Sequence, residues 1–98
     1  MAERFALTAP LWRYQGRAAW HFLTVPSDVS FEIHERYGVM SGGFGSLRVQ
    51  VTVGETSWRT SIFFEASSGS YLLPVKRQVR TAEALAAGDE VAFGLQVL

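Results

Sequence analysis

Three cationic side chains cluster where the sequence predicts the start of a helix. Lys76, Arg77 and Arg80 follow a strand-like run that ends at Pro74. Free backbone N–H groups at a helix N-terminus attract anions, and these side chains add charge and forked donors. Cations at this end also oppose the helix dipole, a conflict that a bound phosphate or carboxylate would relieve. This cluster is the best candidate site in the chain, and its predicted ligand is an anion.

The same cluster has a second interpretation, as a solvated surface. Arg80 could pair with Glu83, while Lys76 or Arg77 could meet carboxylates of a neighbouring strand. Exposed charges near a helix dipole contribute only about 0.3–1 kcal/mol, so the misfit is tolerable. Lys76 and Arg77 would point about 100° apart on a helix, so all three cations converge only if Lys76 precedes the helical geometry.

Aromatic side chains could complete a binding site beside these cations. Ligand sites are mostly apolar, with a few polar groups that orient the ligand. We expect Trp58, Arg59 and Tyr71 to form the wall of such a pocket together with Lys76, with Arg59 and Tyr71 as neighbours across the strands. The tryptophans and tyrosines could instead be packing in the core and at the barrel mouth.

No other motif predicts a reaction. The glycines of SGGFGS, residues 41–46, lack the Gly-Lys-Ser and the helix of a phosphate loop. His21 and His34 have no partners at metal-ligand spacing, and His21 is expected to face solvent. Ser61 lies outside a nucleophile elbow, and the absence of cysteine removes thiolate chemistry. The sequence therefore predicts no catalytic residue, no metal site and no cofactor.

Length and charge limit the classes of partner. The chain has 98 residues, 48% of them hydrophobic, which suits a single domain over residues 1–98. Nine Lys and Arg balance nine Asp and Glu. Domains that bind a phosphate backbone are usually basic, so we expect at most weak duplex-DNA binding that is lost by physiological salt. No run is apolar enough for a signal peptide or a membrane span. We expect a cytoplasmic protein, a monomer or weak dimer, with no membrane contact.

Hydrophobic periodicity predicts six strands and two helices. Apolar residues alternate from Leu47 to Val53, and Gly54-Glu55 joins this strand to a partner in a hairpin. The predicted helices are Ser27–Tyr37, which Gly38 ends, and Lys76–Ala87, which Gly88 ends. The predicted strands are residues 5–14, 18–25, 47–53, 58–64, a strand that includes Leu72, and 91–97. The order is β-β-α-β-β-β-α-β.

A weak internal repeat indicates how these elements assemble. HFLTVPSDVSFEIHERYG and GSYLLPVKRQVRTAEALAAG each run strand, proline, helix, glycine. Two such halves could close around a pseudo-two-fold axis into a small barrel with a helix at each end. Closure also hides sheet edges, which would otherwise pair with other chains. The predicted fold is mainly β with two helices, in a small closed or double-split β-barrel.

The chain resembles the bacterial domain-of-unknown-function family 1905 in three ordered segments: WHFLTVPSDV, GGFGSLRVQVTVGETSWRTSIFF and YLLPVKRQVRTAEALAAGDEVAFGLQV. The match covers nearly the whole chain. It implies a double-split β-barrel, a fold shared with swapped-hairpin transcription factors of the AbrB and MraZ type. The segment LPVKRQVRTAEALAAGDEV is similar to their strand-helix-strand hairpin. The resemblance implies no activity, because none is established for the family.

Three functions follow from these observations. The neutral charge, the aromatics and the single basic cluster favour a binding module for a small anionic ligand or a protein partner. The fold resemblance favours a DNA-binding regulator, which the charge disfavours. An enzyme of unknown reaction is the third alternative, and no acid-base pair or nucleophile supports it.

Overall fold

The protein is a six-stranded barrel with two helices. The computed structural model describes residues 3–16, 19–41 and 45–98. Its strands are β1 (Arg4–Arg13), β2 (His21–Thr24), β3 (Ser46–Val53), β4 (Thr56–Glu65), β5 (Ser70–Pro74) and β6 (Glu90–Val97). Helix α1 (Ser27–Tyr37) and a 3₁₀ turn (Gly38–Met40) lie between β2 and β3, and helix α2 (Arg77–Ala82) lies between β5 and β6. The predicted fold class and element order are confirmed.

All neighbouring strands are antiparallel, and the sheet closes in the order β1-β2-β5-β4-β3-β6 with β6 paired to β1. The chain divides into two halves of the same topology, β1-β2-α1-β3 and β4-β5-α2-β6. Exchanging the two halves leaves the strand order of the barrel unchanged. The repeat seen in the sequence therefore corresponds to a repeat of connectivity.

Every strand contributes side chains to one core inside the barrel. Alternation along each strand turns one set of residues inward, as the apolar pattern predicts. Buried examples, one from each strand in chain order, are Leu11, Leu23, Val51, Ile62, Leu73 and Leu95. None of the described helices is long and apolar enough to cross a membrane.

The predicted hairpin after β3 is confirmed. Val53 pairs with Thr56, which leaves Gly54-Glu55 as a two-residue loop. Gly54 has a φ of 56°, and an ideal Cβ on it would overlap the carboxylate of Glu83. Glycine is thus required here both by the turn and by a close approach from the segment after α2.

Helix α1 has the predicted bounds and is tied into the barrel by a buried serine. The Ser30 hydroxyl donates to the carbonyl of Val25 and accepts from the N–H of Tyr71, both at 3.0 Å. Ile33, also on the inner face of α1, is fully buried. These contacts fasten the helix of the first half onto β5 of the second half.

Helix α2 is shorter than predicted. The alanine-rich sequence and Gly88 predicted a helix over Lys76–Ala87, but the helix ends at Ala82. Ala84 has a φ of 53°, and the Leu85 N–H donates to the Arg80 carbonyl at 2.8 Å, so the chain turns out of the helix. Half-buried Leu85 packs against the core. These tertiary contacts outweigh helix propensity, which is a weak preference for any single alanine.

Candidate anion-binding cavity

The wall of the barrel opens between β4 and β5. Only three residue pairs join these strands, from Phe63–Leu72 to Glu65–Ser70. The earlier part of β4, residues 56–62, is paired only with β3. The barrel is therefore split at this point, although its strand order is closed.

Pro74 explains why the ladder between β4 and β5 stops. On the β2 side, the Tyr71 carbonyl accepts from the Val25 N–H and the Val75 N–H donates to the His21 carbonyl, at 2.9 Å each. Because successive residues of a strand direct their backbone groups to opposite sides, the backbone groups of Leu72 and Pro74 point towards β4. Proline has no N–H to donate at this next ladder position. Strand β5 therefore leaves β4 after Leu72, and the chain turns into α2.

A cavity of about 460 Å³ occupies the opening. This volume is within the range of small-molecule sites, roughly 300–1,000 Å³. Three segments form its walls: the middle of β4, the connection from β5 into α2, and the residues that lead into β2. The lining residues are Ala19, Trp20, His21, Trp58, Arg59, Thr60, Pro74, Val75, Lys76, Arg77 and Arg80.

Five of the six predicted site residues line this one cavity. They are Trp58, Arg59, Lys76, Arg77 and Arg80. Lys76 has extended backbone angles, with φ −70° and ψ 160°, and precedes the helix. This geometry meets the condition under which all three cations of the cluster can converge. Because α2 has only six residues, the side chains rather than the helix end define the site.

Tyr71, the sixth predicted residue, does not line the cavity. Its side chain is fully buried on the inner face of β5, and its ring lies 5.2 Å from that of Phe64. Its hydroxyl is buried and has no hydrogen-bond partner among the described residues. Burial raises the pKa of the Tyr71 phenol above its ordinary value, because desolvation disfavours the phenolate. Tyr71 lies away from the cavity because it belongs to the inward-facing set of β5.

Arg80 and Glu83, which could have paired, bond to other groups. The Arg80 Nε–H donates to the Val75 carbonyl at 3.2 Å, and the Thr56 hydroxyl donates to the Glu83 carboxylate at 2.6 Å. Among the described residues, both ion pairs belong to Arg36, with Glu3 and with Glu32. The four cations that line the cavity are therefore not neutralised by a described carboxylate.

Six residues of the cavity were not among the predicted site residues, and Trp20 and His21 are two of them. Trp20 is 55% exposed and stacks on Phe22 with ring centroids 6.1 Å apart. His21, expected to face solvent, is half-buried and lines the cavity, with Nδ1 2.9 Å from the carbonyl oxygen of Ala19. The repeat could have indicated both residues, because it places β2 beside β5 in the barrel.

The other motifs gain no chemistry from the structure. No group of three or more His, Cys, Asp or Glu residues that could hold a metal occurs in residues 3–16, 19–41 and 45–98. Residues 42–44 of the glycine-rich segment lie outside the described residues. Gly45, which follows them, has a φ of 67° and leads directly into β3.

Fold and cavity together define a small antiparallel barrel domain whose wall is split beside a cationic, aromatic-lined opening. Residues 7–95 match the family described as a domain of unknown function (DUF1905), and the chain belongs to this family. The match extends from β1 to β6, so the resemblance seen in the sequence is confirmed. No curated protein matches the chain.

Proposed function

We propose that this domain is a binding module for an anionic ligand, held in the cavity between β4 and α2. The observation that carries the proposal is the convergence of four cations on one cavity: Arg59, Lys76, Arg77 and Arg80. No described lining residue is acidic. Like charges that share a partly enclosed site repel one another, and a bound anion would remove that repulsion.

The cavity also has the apolar surface that a ligand site needs. Trp20 and Trp58 contribute aromatic surface, and Pro74 and Val75 contribute aliphatic surface. Arginine is suited to phosphate and carboxylate, because its planar fork donates two parallel hydrogen bonds. Neutral overall charge favours a local anion site over the broad positive surface that duplex DNA requires.

Thermal unfolding with added phosphate, pyrophosphate or citrate tests the proposal. A ligand at 100 times its Kd stabilises the native state by about 2.7 kcal/mol, a rise in Tm of roughly 10–20 °C for a domain of this size. We expect at least one of these anions to raise the Tm, and we expect Arg77→Ala to abolish most of the rise. Arg80→Ala should abolish it too, but that change also removes the bond to the Val75 carbonyl.

Arg4→Ala is the matched control. Arg4 is on β1, opposite the split, and its guanidinium donates to the Thr52 hydroxyl in an exposed contact. The substitution changes the net charge by the same amount as Arg77→Ala but leaves the cavity intact. If no anion raises the Tm, or if both variants reduce the rise equally, the cationic cluster is a solvated surface and the proposal fails.

A further inference from the structure

The edge of β4 inside the cavity has backbone groups without a strand partner. The two-residue loop makes Val53 and Thr56 a hydrogen-bonded pair, so even-numbered residues of β4 bond to β3. The backbone N–H and C=O groups of the odd-numbered residues point away from β3, and those of Phe63 and Glu65 accordingly pair with β5. The remaining odd residues face the opening and have no ladder partner in the described chain. They are Ser57, Arg59 and Ser61.

We propose that an extended acidic peptide binds in this opening as an added antiparallel strand on β4. The proposal rests on the proposed anion site and names its ligand class. Strand addition satisfies exposed N–H and C=O groups of a sheet edge and is a recurrent mode of peptide recognition. The peptide would occupy the position that β5 leaves at Pro74. Antiparallel addition continues the pattern of every other pair in the barrel.

The length of the edge limits the length of the peptide. Ser57 to Ser61 covers four residue steps, about 13 Å at the usual rise of a strand. A segment of five extended residues therefore spans the edge. Beyond these residues, the ladder from Phe63 to Glu65 is already occupied by β5.

The side chains around the edge specify an alternating peptide. In an antiparallel pair, residues directly opposite each other share a face of the sheet. The peptide residue opposite Arg59 lies on the Arg59 face, where an acidic side chain is favoured. Its neighbours lie on the face of Trp58 and Thr60, where apolar side chains are favoured. The expected sequence pattern is apolar, acidic, apolar, centred on the residue opposite Arg59.

A second copy of this chain is a poorer occupant of the same edge. Pairing two β4 edges across a two-fold axis would bring the Arg59 side chains and both cationic clusters together. Like charges placed opposite each other in a sheet destabilise the pair. An acidic peptide instead supplies the charge that Arg59, Lys76 and Arg77 lack within the described chain.

Backbone methylation of a synthetic peptide separates strand addition from simple charge attraction. The probe is fluorescein-labelled Glu-Val-Glu-Val-Glu, titrated with the whole protein in low salt and followed by anisotropy. In the proposed register, the N–H groups of Glu face β4 and those of Val face away. We expect N-methylation of the Glu residues to weaken binding about tenfold or more, because several backbone bonds are lost. N-methylation of the Val residues, the matched control, should change the Kd less than about threefold.

Three further measurements separate failure of this proposal from failure of the anion site: binding of a Gln peptide, binding to the Arg variants, and the Tm with small anions. Replacing Glu by Gln should weaken binding strongly, and Arg77→Ala should weaken it more than Arg4→Ala. If both methylated peptides bind alike while phosphate or citrate still raises the Tm, strand addition is overturned and the anion site stands. If the Gln peptide binds as well as the Glu peptide but only Glu methylation blocks binding, the edge is a strand acceptor and the anion site fails.

The remaining outcomes either overturn both proposals or show that a second copy of the chain, not a peptide, occupies the edge of β4. If neither peptide nor small anion binds, both proposals are wrong. Sedimentation velocity in the same buffer tests the second copy. A dimer that excess peptide does not dissociate, together with no peptide binding, would assign the edge to self-association.

Discussion

The two halves of the barrel share one connectivity but use their helices differently. In the first half, α1 has eleven residues and fastens itself through Ser30 to the backbone of β5. In the second half, α2 has six residues, and Val79 is its one buried residue. The outer surfaces differ as well. Helix α1 has acidic residues at Asp28, Glu32 and Glu35, whereas the start of α2 is cationic.

This comparison shows how one repeated unit can provide both support for the core and a wall of the candidate cavity. Near the end of α1, Arg36 pairs with Glu3, the residue before β1. The segment after α2 is held in a corresponding way, because the Thr56 hydroxyl at the start of β4 donates to Glu83. The first half uses the longer helix to extend the core. The second half has a shorter helix, and its connection from β5 forms one wall of the cavity.

The largest expected effect tests the claim that α1 supports the core more than α2 does. Ile33→Ala should cost about 2–5 kcal/mol in the free energy of unfolding, as for other buried aliphatic truncations. Val79→Ala in α2 is the matched change at a similarly buried position. Ile→Ala removes three carbons and Val→Ala removes two, so burial alone predicts a ratio of about 3:2 between the two losses of unfolding free energy. Urea unfolding should give a larger ratio, and equal losses would break the comparison.

A smaller effect is expected where the segment after α2 meets the β3–β4 hairpin. Gly54→Ala should cost about 1–3 kcal/mol, because Cβ is strained at this φ and displaces Glu83 from Thr56. Gly69→Ala is the control, since Gly69 has a φ of 71° and nothing lies within 4 Å of its added Cβ. In a Glu83→Ala background, the Gly54→Ala loss in urea unfolding should fall to that of the control. An unchanged loss would show that Glu83 does not tie the hairpin.

The smallest effect concerns Tyr71, the residue of β5 onto which α1 is fastened. Tyr71→Phe removes a buried hydroxyl that has no partner in the described part of the chain. We therefore expect the free energy of unfolding at pH 8 to be nearly unchanged or to rise by about 1 kcal/mol. The raised pKa means that the unfolded chain releases this proton first as the pH rises above about 10. Stability should therefore fall above pH 10 in the native protein. The fall should be smaller in the variant, as urea titrations at pH 8 and pH 11 would show. An identical alkaline loss would assign it to other groups.

The fold could be predicted because its signals are local and repeated. Alternation along β3 and the Gly54-Glu55 turn specify a hairpin without any tertiary information. The two strand-proline-helix segments indicate two similar halves. The end of α2 could not be predicted, because Ala84 and Leu85 leave the helix in response to contacts with the rest of the barrel.

Part of the lining of the candidate cavity could be predicted, for a physical reason. Lys76, Arg77 and Arg80 are close in sequence, so any local structure brings their backbones together. Arg59 belongs with them because β4 and β5 are neighbours across the split. The sequence could not show that Tyr71 lies away from the cavity, because adjacency of strands does not specify which face a side chain occupies. A shift of one residue moves every side chain of a strand to the opposite face.

Pro74 has a consequence for how fast and how tightly a ligand can associate. A cavity that opened only when ladder bonds broke would be populated for a small fraction of the time, and its apparent affinity would be lowered by that fraction. Because the proline has no N–H, it cannot donate a ladder bond to β4, and the ladder between β4 and β5 ends at Phe63–Leu72. The open form is then the ground state of the domain. The ligand proposed above would therefore meet a preorganised cavity, and we expect its association rate not to depend on a prior opening step.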